Sequence, residues 1–172
     1  MADRCGHVSG RFKDSYLGQL RAIIGSRPVA VPGARIIVEN GAGEILLIKR
    51  SDFKLWGWPA GSAELGQTIE ATARQELEEE AGLVAYRMVP VGFASDPVHD
   101  RIHYPNGDVL QAFSMIFHVT EWSGTPHPDG YESLDVRWFA QDALPEDRTP
   151  PVSRTLAALR AYKASGGVFQ LI

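Results

Sequence analysis

Three acidic side chains near the middle of the chain have the type and the spacing needed to hold a metal ion. Glu76, Glu79 and Glu80 stand at positions i, i+3 and i+4, which share one face and one turn if the segment is helical. Carboxylates at this spacing repel one another, so solvent, basic neighbours or a bound cation must offset the repulsion. Oxygen ligands on a rigid element suit a Mg²⁺ ion that holds a polyphosphate. A solvated acidic face is the alternative, and the acidic run alone favours it.

The segment around these glutamates is predicted to be a helix that follows a glycine-containing loop. Helical periodicity begins at Thr68, a good N-cap residue, and ends at Gly82, which suits the position after a helix. Backbone groups of the loop over residues 61–67, together with the positive end of the helix, can approach phosphates closely. An apolar stripe suited to packing on a sheet recurs at every fourth position, at Ile69, Ala73, Leu77 and Ala81.

The rest of the chain alternates strand-like and helix-like segments. Alternating or continuous apolar runs predict strands over residues 34–39, 44–49, 84–94, 109–121 and 135–139. The turn chemistry of residues 40–43, Asn-Gly-Ala-Gly, predicts a hairpin between the first two strands. Helical spacing predicts helices over residues 15–25 and 152–163. This mixture predicts one α/β domain in which helices cover a mixed sheet.

Composition limits the classes of function. The chain has 172 residues, of which 44% are apolar and 22% charged, and its formal net charge is −4. That charge gives no general attraction to nucleic acid or to an anionic membrane, and an acidic protein that binds a polyanion usually needs a metal cation between them. No apolar run is long enough to span a membrane. The polar start of the chain predicts no signal peptide, and the lone Cys5 fits a reducing, cytoplasmic setting.

Residues 61–83 resemble the Nudix box. The box runs Gly, five residues, Glu, seven residues, then Arg-Glu-apolar-any-Glu-Glu-any-Gly-apolar. This chain departs from it at two places, since Gln67 replaces the first Glu and Gln75 replaces the Arg. The residues that match are Gly61, Glu76, Leu77, Glu79, Glu80, Gly82 and Leu83. Residues 55–61, Leu-Trp-Gly-Trp-Pro-Ala-Gly, are similar to the family's entry into the box, and the resemblance covers roughly residues 30–162.

The resemblance implies a fold and a reaction. Nudix proteins form an α/β/α sandwich with a mixed β-sheet and a loop–helix–loop that carries the box. By this resemblance Glu76, Glu79, Glu80 and the carbonyl of Ala60 are the expected ligands of Mg²⁺ or Mn²⁺. The metal would neutralise charge on a pyrophosphate and activate water. One of these glutamates, or Glu132 in a later loop, would take the proton; Glu132 could equally be an ordinary loop residue.

Several residues are candidates for substrate binding. Trp56 and Trp58 could stack a base, although tryptophans beside a Gly-Pro turn are more often core residues, and at least one is expected to pack inside. Gly61 belongs to the loop that can approach phosphates. His99 and His103 have a metalloprotease-like spacing but lack the glutamate that zinc enzymes place after the first histidine. His103 and Arg101 are therefore expected at the mouth of the substrate site, or simply facing water.

The sequence thus predicts an N-terminal arm with an appended helix over residues 1–29 and a Nudix hydrolase domain over residues 30–172. The expected activity is cleavage of the phosphoanhydride of a nucleoside diphosphate linked to another moiety. A nucleotide or ADP-ribose binding module without strong catalysis is the alternative, and Gln67 and Gln75 motivate it. These two amides could hydrogen-bond each other in place of a Glu–Arg pair, which favours an active enzyme. The expected partner is a small nucleotide; no membrane is expected, and the sequence carries no evidence for nucleic acid. A homodimer is possible because relatives often form one.

Overall fold

The computed structural model describes residues 12–172, which form three α-helices and nine strands. The helices are α1 (Tyr16–Ile24), α2 (Ile69–Ala81) and α3 (Pro151–Ala164). In chain order, the strands are β1 (Val29–Val38), β2 (Ile45–Arg50), β3 (Trp56–Gly57), β4 (Ala60–Ser62), β5 (Val84–Ala94), β6 (Arg101–His103), β7 (Val109–Ser123), β8 (Ser133–Phe139) and β9 (Gln170–Leu171). Every helix predicted from residue spacing is confirmed to within two residues at each end.

The strands form two sheets. The larger is a six-stranded mixed sheet ordered β4-β1-β7-β5-β9, with β6 also paired to β7. Strands β1 and β7 run parallel, whereas β5 and β7 run antiparallel. The second sheet is antiparallel and ordered β3-β2-β8. The predicted mixed sheet is confirmed, and the three-stranded sheet goes beyond the prediction.

The hairpin predicted at residues 40–43 is wrong, although the turn itself is present. The Asn40 side chain accepts hydrogen bonds from the backbone N–H groups of Ala42 and Glu44, at 2.9 and 3.0 Å. Only one isolated bridge, between Glu39 and Ile45, joins the two segments before they separate. Strand β1 then pairs with β4 and β7, and β2 pairs with β3 and β8. The turn chemistry fixes the reversal of the chain but not the partners of the strands that follow it.

Helices α2 and α3 cover opposite sides of the strands. The side chains of β1 alternate between two apolar clusters, so that Ile36 packs in the cluster containing Leu77 of α2, and Ile37 packs in the cluster containing Leu156 of α3. Complete burial of an aliphatic side chain of this size contributes about 1.5–3 kcal/mol. The expected α/β/α sandwich is therefore confirmed. In the described residues no helix is both long and apolar enough to cross a membrane.

Helix α1 is docked on the domain. Ser15 caps its first turn by accepting the N–H of Gly18, at 3.0 Å. The side chain of Arg21 is buried beneath the helix and donates to the carbonyl of Val109 at the start of β7, at 2.7 Å. The structure thus has a helix at the predicted place, in contact with β7, whereas the division into an arm and a domain at residue 30 stays a prediction. Residues 1–11, which include Cys5, lie outside the described residues.

Candidate active site

Helix α2 brings the three box glutamates to the end of the short strand β4. The helix starts at the Thr68 cap and ends at Gly82, whose φ of 68° is the left-handed conformation that glycine adopts readily. The Glu80 side chain is 3% exposed, and its Oε2 accepts the N–H of Ala60 at 2.8 Å. Glu76 lies so close to Gly61 that a Cβ on that residue would fall 1.9 Å from the carboxylate oxygen. Glycine is required at position 61 because the Glu76 carboxylate occupies that space.

Burial and mutual repulsion disfavour the charged forms of two of these carboxyls. Burial raises the pKa of Glu76 from its ordinary 4.5 to about 8, and the charges of Glu132 and Glu79 add to the rise. Burial, followed by the charge of Glu76, raises the pKa of Glu80 well above its ordinary range, against the opposing effect of Arg50. A cation placed among these groups would favour their charged forms.

Glu132 joins this cluster from the loop before β8. The Asp129 carboxylate accepts the backbone N–H groups of Tyr131, Glu132 and Ser133, which fixes the loop as a tight turn. The buried Ser133 hydroxyl donates to the carbonyl of Glu80 at 2.6 Å and ties the loop to α2. Water reaches the Glu132 side chain from the cleft, yet burial of one side of it and the charge of Asp129 raise its pKa. The structure therefore places Glu132 in the same cleft as Glu76, whereas the sequence alone predicted only its position in a loop.

Arg50, at the end of β2, is a site residue that sequence reasoning missed. Its guanidinium donates to both carboxylate oxygens of Asp52, at 3.0 and 2.7 Å. Burial acts to lower the pKa of Arg50, but the hydrogen bond to Asp52 and the charge of Glu80 raise it on balance. Arg50 is thus a fixed cation beside the glutamates. An arginine followed closely by an aspartate at a strand end is a common surface pattern, so the sequence carried no signal for this role.

The two departures from the box pattern contact each other. Gln67 Nε2 donates to Gln75 Oε1 at 2.6 Å, which confirms the hydrogen bond expected from the sequence. Gln75 Nε2 in turn donates to Glu79 Oε1 at 3.0 Å. The amide pair therefore links the box loop, residues 61–67, to a glutamate of the cluster.

Two cavities meet at this cluster. The larger, of about 840 Å³, is the cleft that contains Glu76, Glu79 and Glu132. The smaller, of about 340 Å³, lies beyond Ala60 and Gly61, and Arg50 lines both. The smaller cavity is lined by three side chains proposed from the sequence for substrate binding, namely Trp58, Arg101 and His103. It is also lined by three residues not proposed for that role, namely His99, Phe53 and Tyr104. The Phe53 and Tyr104 rings lie 5.4 Å apart with their planes tilted by 32°.

Trp56 is not brought to either cavity. Its ring packs edge-on against Phe139, with centroids 4.9 Å apart, and the cationic groups of Lys49 and Arg137 each lie 5.5 Å from its centroid. Trp56 and Trp58 are both buried in the apolar cluster on the α3 side. The expectation that at least one tryptophan packs in the core is therefore confirmed for both, and Trp58 alone of the two also lines a cavity.

The donor set fits a metal held partly by a substrate. Among residues 12–172, no three His, Cys, Asp or Glu side chains are arranged to ligate one ion by themselves. Ala60 and Gln75 already engage one oxygen each of Glu80 and Glu79. Mg²⁺ typically takes one or two carboxylates and completes its shell with waters and substrate phosphates. The cluster suits that kind of site better than a closed protein cage.

Comparison with known proteins identifies the family. A family model described as the NUDIX domain matches residues 29–159. The chain belongs to the Nudix family. A putative 8-oxo-dGTP diphosphatase of Bacillus subtilis is 30% identical over 125 residues, which cover 72% of this chain and 76% of the relative. An ADP-ribose pyrophosphatase of Methanocaldococcus jannaschii is 32% identical over 121 residues, which cover 69% of this chain and 64% of that protein.

A solved structure agrees with the fold. The crystal structure of a MutT NUDIX hydrolase from Burkholderia pseudomallei has a TM-score of 0.65 to this chain, at 24% identity. It covers 76% of this chain and 98% of the other. These two curated relatives are a diphosphatase and a pyrophosphatase, and this Nudix protein is a hydrolase of acid anhydrides.

The raised pKa of Glu76 predicts how stability depends on pH. Between its ordinary pKa of 4.5 and its folded value of about 8, the folded protein keeps a proton that the unfolded chain releases. The free energy of unfolding of the metal-free protein should therefore fall as pH rises through this window. Thermal melts of the metal-free protein across the window should show a falling Tm, and Mg²⁺ should offset the fall at the alkaline end. Glu76→Gln should reduce the slope of the metal-free dependence, to which Glu80 and Glu132 also contribute, and an unchanged slope in that variant would contradict the assignment.

The Gln67–Gln75 contact predicts a non-additive pair of substitutions. Gln67→Glu alone would set a carboxylate against Gln75 Oε1, and Gln75→Arg alone would set a guanidinium against the Gln67 amide N–H. Each single variant should therefore lose about 2- to 10-fold in kcat/KM, the value of one hydrogen bond. The double variant pairs opposite charges and should recover most of the loss. A double-mutant cycle on kcat/KM and Tm measures the coupling, and strictly additive effects would show that the two residues are not partners.

Proposed function

We propose that this Nudix protein is a Mg²⁺-dependent hydrolase, also active with Mn²⁺, that cleaves the phosphoanhydride of a nucleoside diphosphate linked to a further group. One observation supports this most strongly: Glu76 and Glu79 line an open cleft, Glu80 is buried behind it, and desolvation raises the pKa values of Glu76 and Glu80. Such a cluster destabilises the protein by itself. A divalent cation that bound there with a polyphosphate would stabilise the charged carboxylates and offset this cost.

The residues of the acidic cluster and Arg50 have different proposed roles in the reaction. Glu76, Glu79 and Glu80, with the Ala60 carbonyl, are the proposed ligands, and one or two of these carboxylates would hold a given cation together with substrate phosphates. The cation would supply charge neutralisation and an activated water. Glu132 accepts the proton of that water, because it projects into the cleft beside Glu76 and its pKa is raised. Arg50 balances the negative charge at the junction of the two cavities.

The smaller cavity is proposed to hold the nucleoside. It adjoins the box loop at Gly61, and its walls carry the aromatic rings of Phe53 and Tyr104, with Arg101 and His103 beside them. The buried indole N–H of Trp58 has no hydrogen-bond partner in the described part of the chain. A buried donor without a partner is costly, so a base acceptor that reached this wall would recover that free energy. A volume of about 340 Å³ suits a single nucleoside better than a longer nucleic acid.

A nucleotide-binding module without strong catalysis is a weaker proposal. The two glutamines motivate it, since they replace a charged pair of the family pattern. Their hydrogen bond connects the same loop and helix without charge, and the three glutamates are intact. We therefore favour the enzyme.

The test is a screen of nucleotides with product identification, with and without Mg²⁺. The panel should include 8-oxo-dGTP and ADP-ribose, the substrates in the names of the two curated relatives. It should also include undamaged nucleoside triphosphates and dinucleotides. Cleavage should require the metal and give a nucleoside monophosphate plus pyrophosphate or a phosphorylated remainder. In ¹⁸O-water one product alone should carry the label, at phosphorus. Orthophosphate as the first product of a triphosphate, or binding without turnover across the panel, would contradict the proposal.

A further inference from the structure

A continuous chain of hydrogen bonds runs from the N-terminal helix to Glu79. The backbone N–H of Tyr16, the first residue of α1, donates to Glu64 Oε2 at 2.8 Å. The N–H of Glu64 donates to Gln67 Oε1 at 3.2 Å. Gln67 then donates to Gln75 at 2.6 Å, and Gln75 donates to Glu79 Oε1 at 3.0 Å. The network spans α1, the box loop and two turns of α2.

The chemistry at the two ends fixes the direction of every bond. A backbone N–H can only donate, so the Glu64 N–H requires the oxygen of the Gln67 amide and turns the Gln67 nitrogen toward Gln75. Gln75 must then present its oxygen to Gln67, and its nitrogen faces Glu79. An ionised carboxylate can only accept, so this orientation is the one that Glu79 requires. Thr72 supports it by donating to the same Gln67 oxygen, at 3.0 Å.

Helix α1, where this hydrogen-bond network begins, is held firmly on the domain. The Arg21 side chain, 9% exposed, donates to the carbonyls of Gly25, Arg27 and Val109, at 3.1, 2.6 and 2.7 Å. The bond to Val109 attaches α1 to β7 independently of the box loop, and the other two fix the segment that follows α1. The Tyr16 N–H belongs to the first turn of the helix, where the backbone N–H groups have no acceptor within the helix. The Glu64 carboxylate is the acceptor for this N–H, and its negative charge also suits the positive end of the helix.

We propose that α1 is a positioning element of the catalytic site, which fixes the Glu79 carboxylate through Glu64, Gln67 and Gln75. This rests on the proposed role of Glu79 as a metal ligand. The network orients one oxygen of Glu79 and leaves the other, Oε2, to face a cation. A ligand fixed in advance loses less side-chain entropy when the cation binds, so the network should raise metal affinity. The appended helix is then part of how this chain binds its metal, and the two glutamines are the links that transmit its position.

Replacement of Tyr16 by proline tests the first link with little other change. Proline lacks the N–H and is well tolerated at the first position of a helix. The preceding Ser15 has φ −68° and ψ 159°, the extended conformation that a following proline favours. Tyr16→Ala is the matched reference, because it also loses the ring but keeps the N–H. Glu64→Ala and Glu64→Gln make the same comparison at the acceptor, since the amide oxygen of glutamine can still accept.

The measurement is the affinity of the full-length protein for Mn²⁺, by electron paramagnetic resonance of the free ion, together with Tm and the steady-state constants. Tyr16→Pro should weaken Mn²⁺ binding about 2- to 10-fold relative to Tyr16→Ala, the range expected for one hydrogen bond. Glu64→Ala should weaken it to the same extent, and Glu64→Gln should restore most of the loss. The Tyr16→Pro, Glu64→Ala double variant should be no weaker than either single variant. At saturating metal, kcat should change much less than the affinity.

Different results separate the two proposals. If Tyr16→Pro and Glu64→Ala lower Tm while Mn²⁺ affinity stays at the level of Tyr16→Ala, α1 only packs on the domain and the positioning role is overturned. If Tyr16→Pro does not fold, the Glu64→Ala and Glu64→Gln pair decides by the same criterion. If Glu79→Gln binds Mn²⁺ as tightly as the unmodified protein, the metal-ligand role of Glu79 fails, and the positioning role fails with it.

Discussion

Glu79→Gln and Glu80→Gln are each expected to lower kcat by about 10²-fold or more, with the fold intact. Glutamine keeps the shape of each side chain and can still accept the N–H of Ala60 at position 80 or the Gln75 amide at position 79. It removes the negative charge, however, and with it the attraction for a divalent cation. Steady-state kinetics at several Mg²⁺ concentrations measure the loss, and circular dichroism with thermal melts checks the fold.

Glu70→Gln is the matched control for these variants. Glu70 lies on the same helix but on its exposed side, in a solvent-exposed pair with Arg74 at 2.8 Å. Exposed pairs of this kind contribute little to stability, so this variant should keep both its activity and its fold.

Relief of the repulsion within the cluster should also make the metal-free Glu79→Gln and Glu80→Gln proteins slightly more stable. Turnover like that of the unmodified protein at saturating Mg²⁺ would remove these two glutamates from the metal site.

The elements that the sequence predicted well depend on local chemistry. The ends of α2 follow from the Thr68 cap and the left-handed Gly82, and its buried face follows from the spacing of Ala73, Leu77 and Ala81. Strand β5 was bounded correctly because its apolar run ends at turn residues on both sides. Each of these signals is complete within a few residues of sequence, so no knowledge of distant contacts is needed.

The features that the sequence could not predict depend on distant partners. The turn at residues 40–43 looks like that of a hairpin, but the strands on either side of it do not pair with each other. Strand β1 pairs with β7 at ten positions, and β2 pairs with β8 in the other sheet. Strands β3 and β9 have two residues each, too few to show any periodicity. Phe53 and Tyr104 are fifty-one positions apart, and the fold alone places their rings together.

Glu132→Gln is expected to lower kcat by about 10²-fold, at the lower end of the contribution of a general base. The loop geometry should survive, because Asp129 and Ser133 fix the backbone of residues 129–133 without using the Glu132 side chain. A base acts in its ionised form, so the rate of the unmodified protein should rise as pH increases through the raised pKa of Glu132. Glu132→Gln should lose that rise. The pH profile of kcat at saturating Mg²⁺ measures both effects.

The Mg²⁺ dependence of Glu132→Gln decides between three roles for this residue. A general base removed from the site leaves a low kcat that extra Mg²⁺ does not restore, and Glu132→Asp, which keeps a carboxylate on a shorter side chain, should regain part of the rate. If high Mg²⁺ restores kcat in Glu132→Gln, the residue is a metal ligand and belongs with Glu76, whose pKa it already influences. If kcat and its pH profile are unchanged, Glu132 is an ordinary loop glutamate. The first pattern is the one we expect, because Glu132 faces the cleft, whereas Glu80 is buried and already engaged with Ala60.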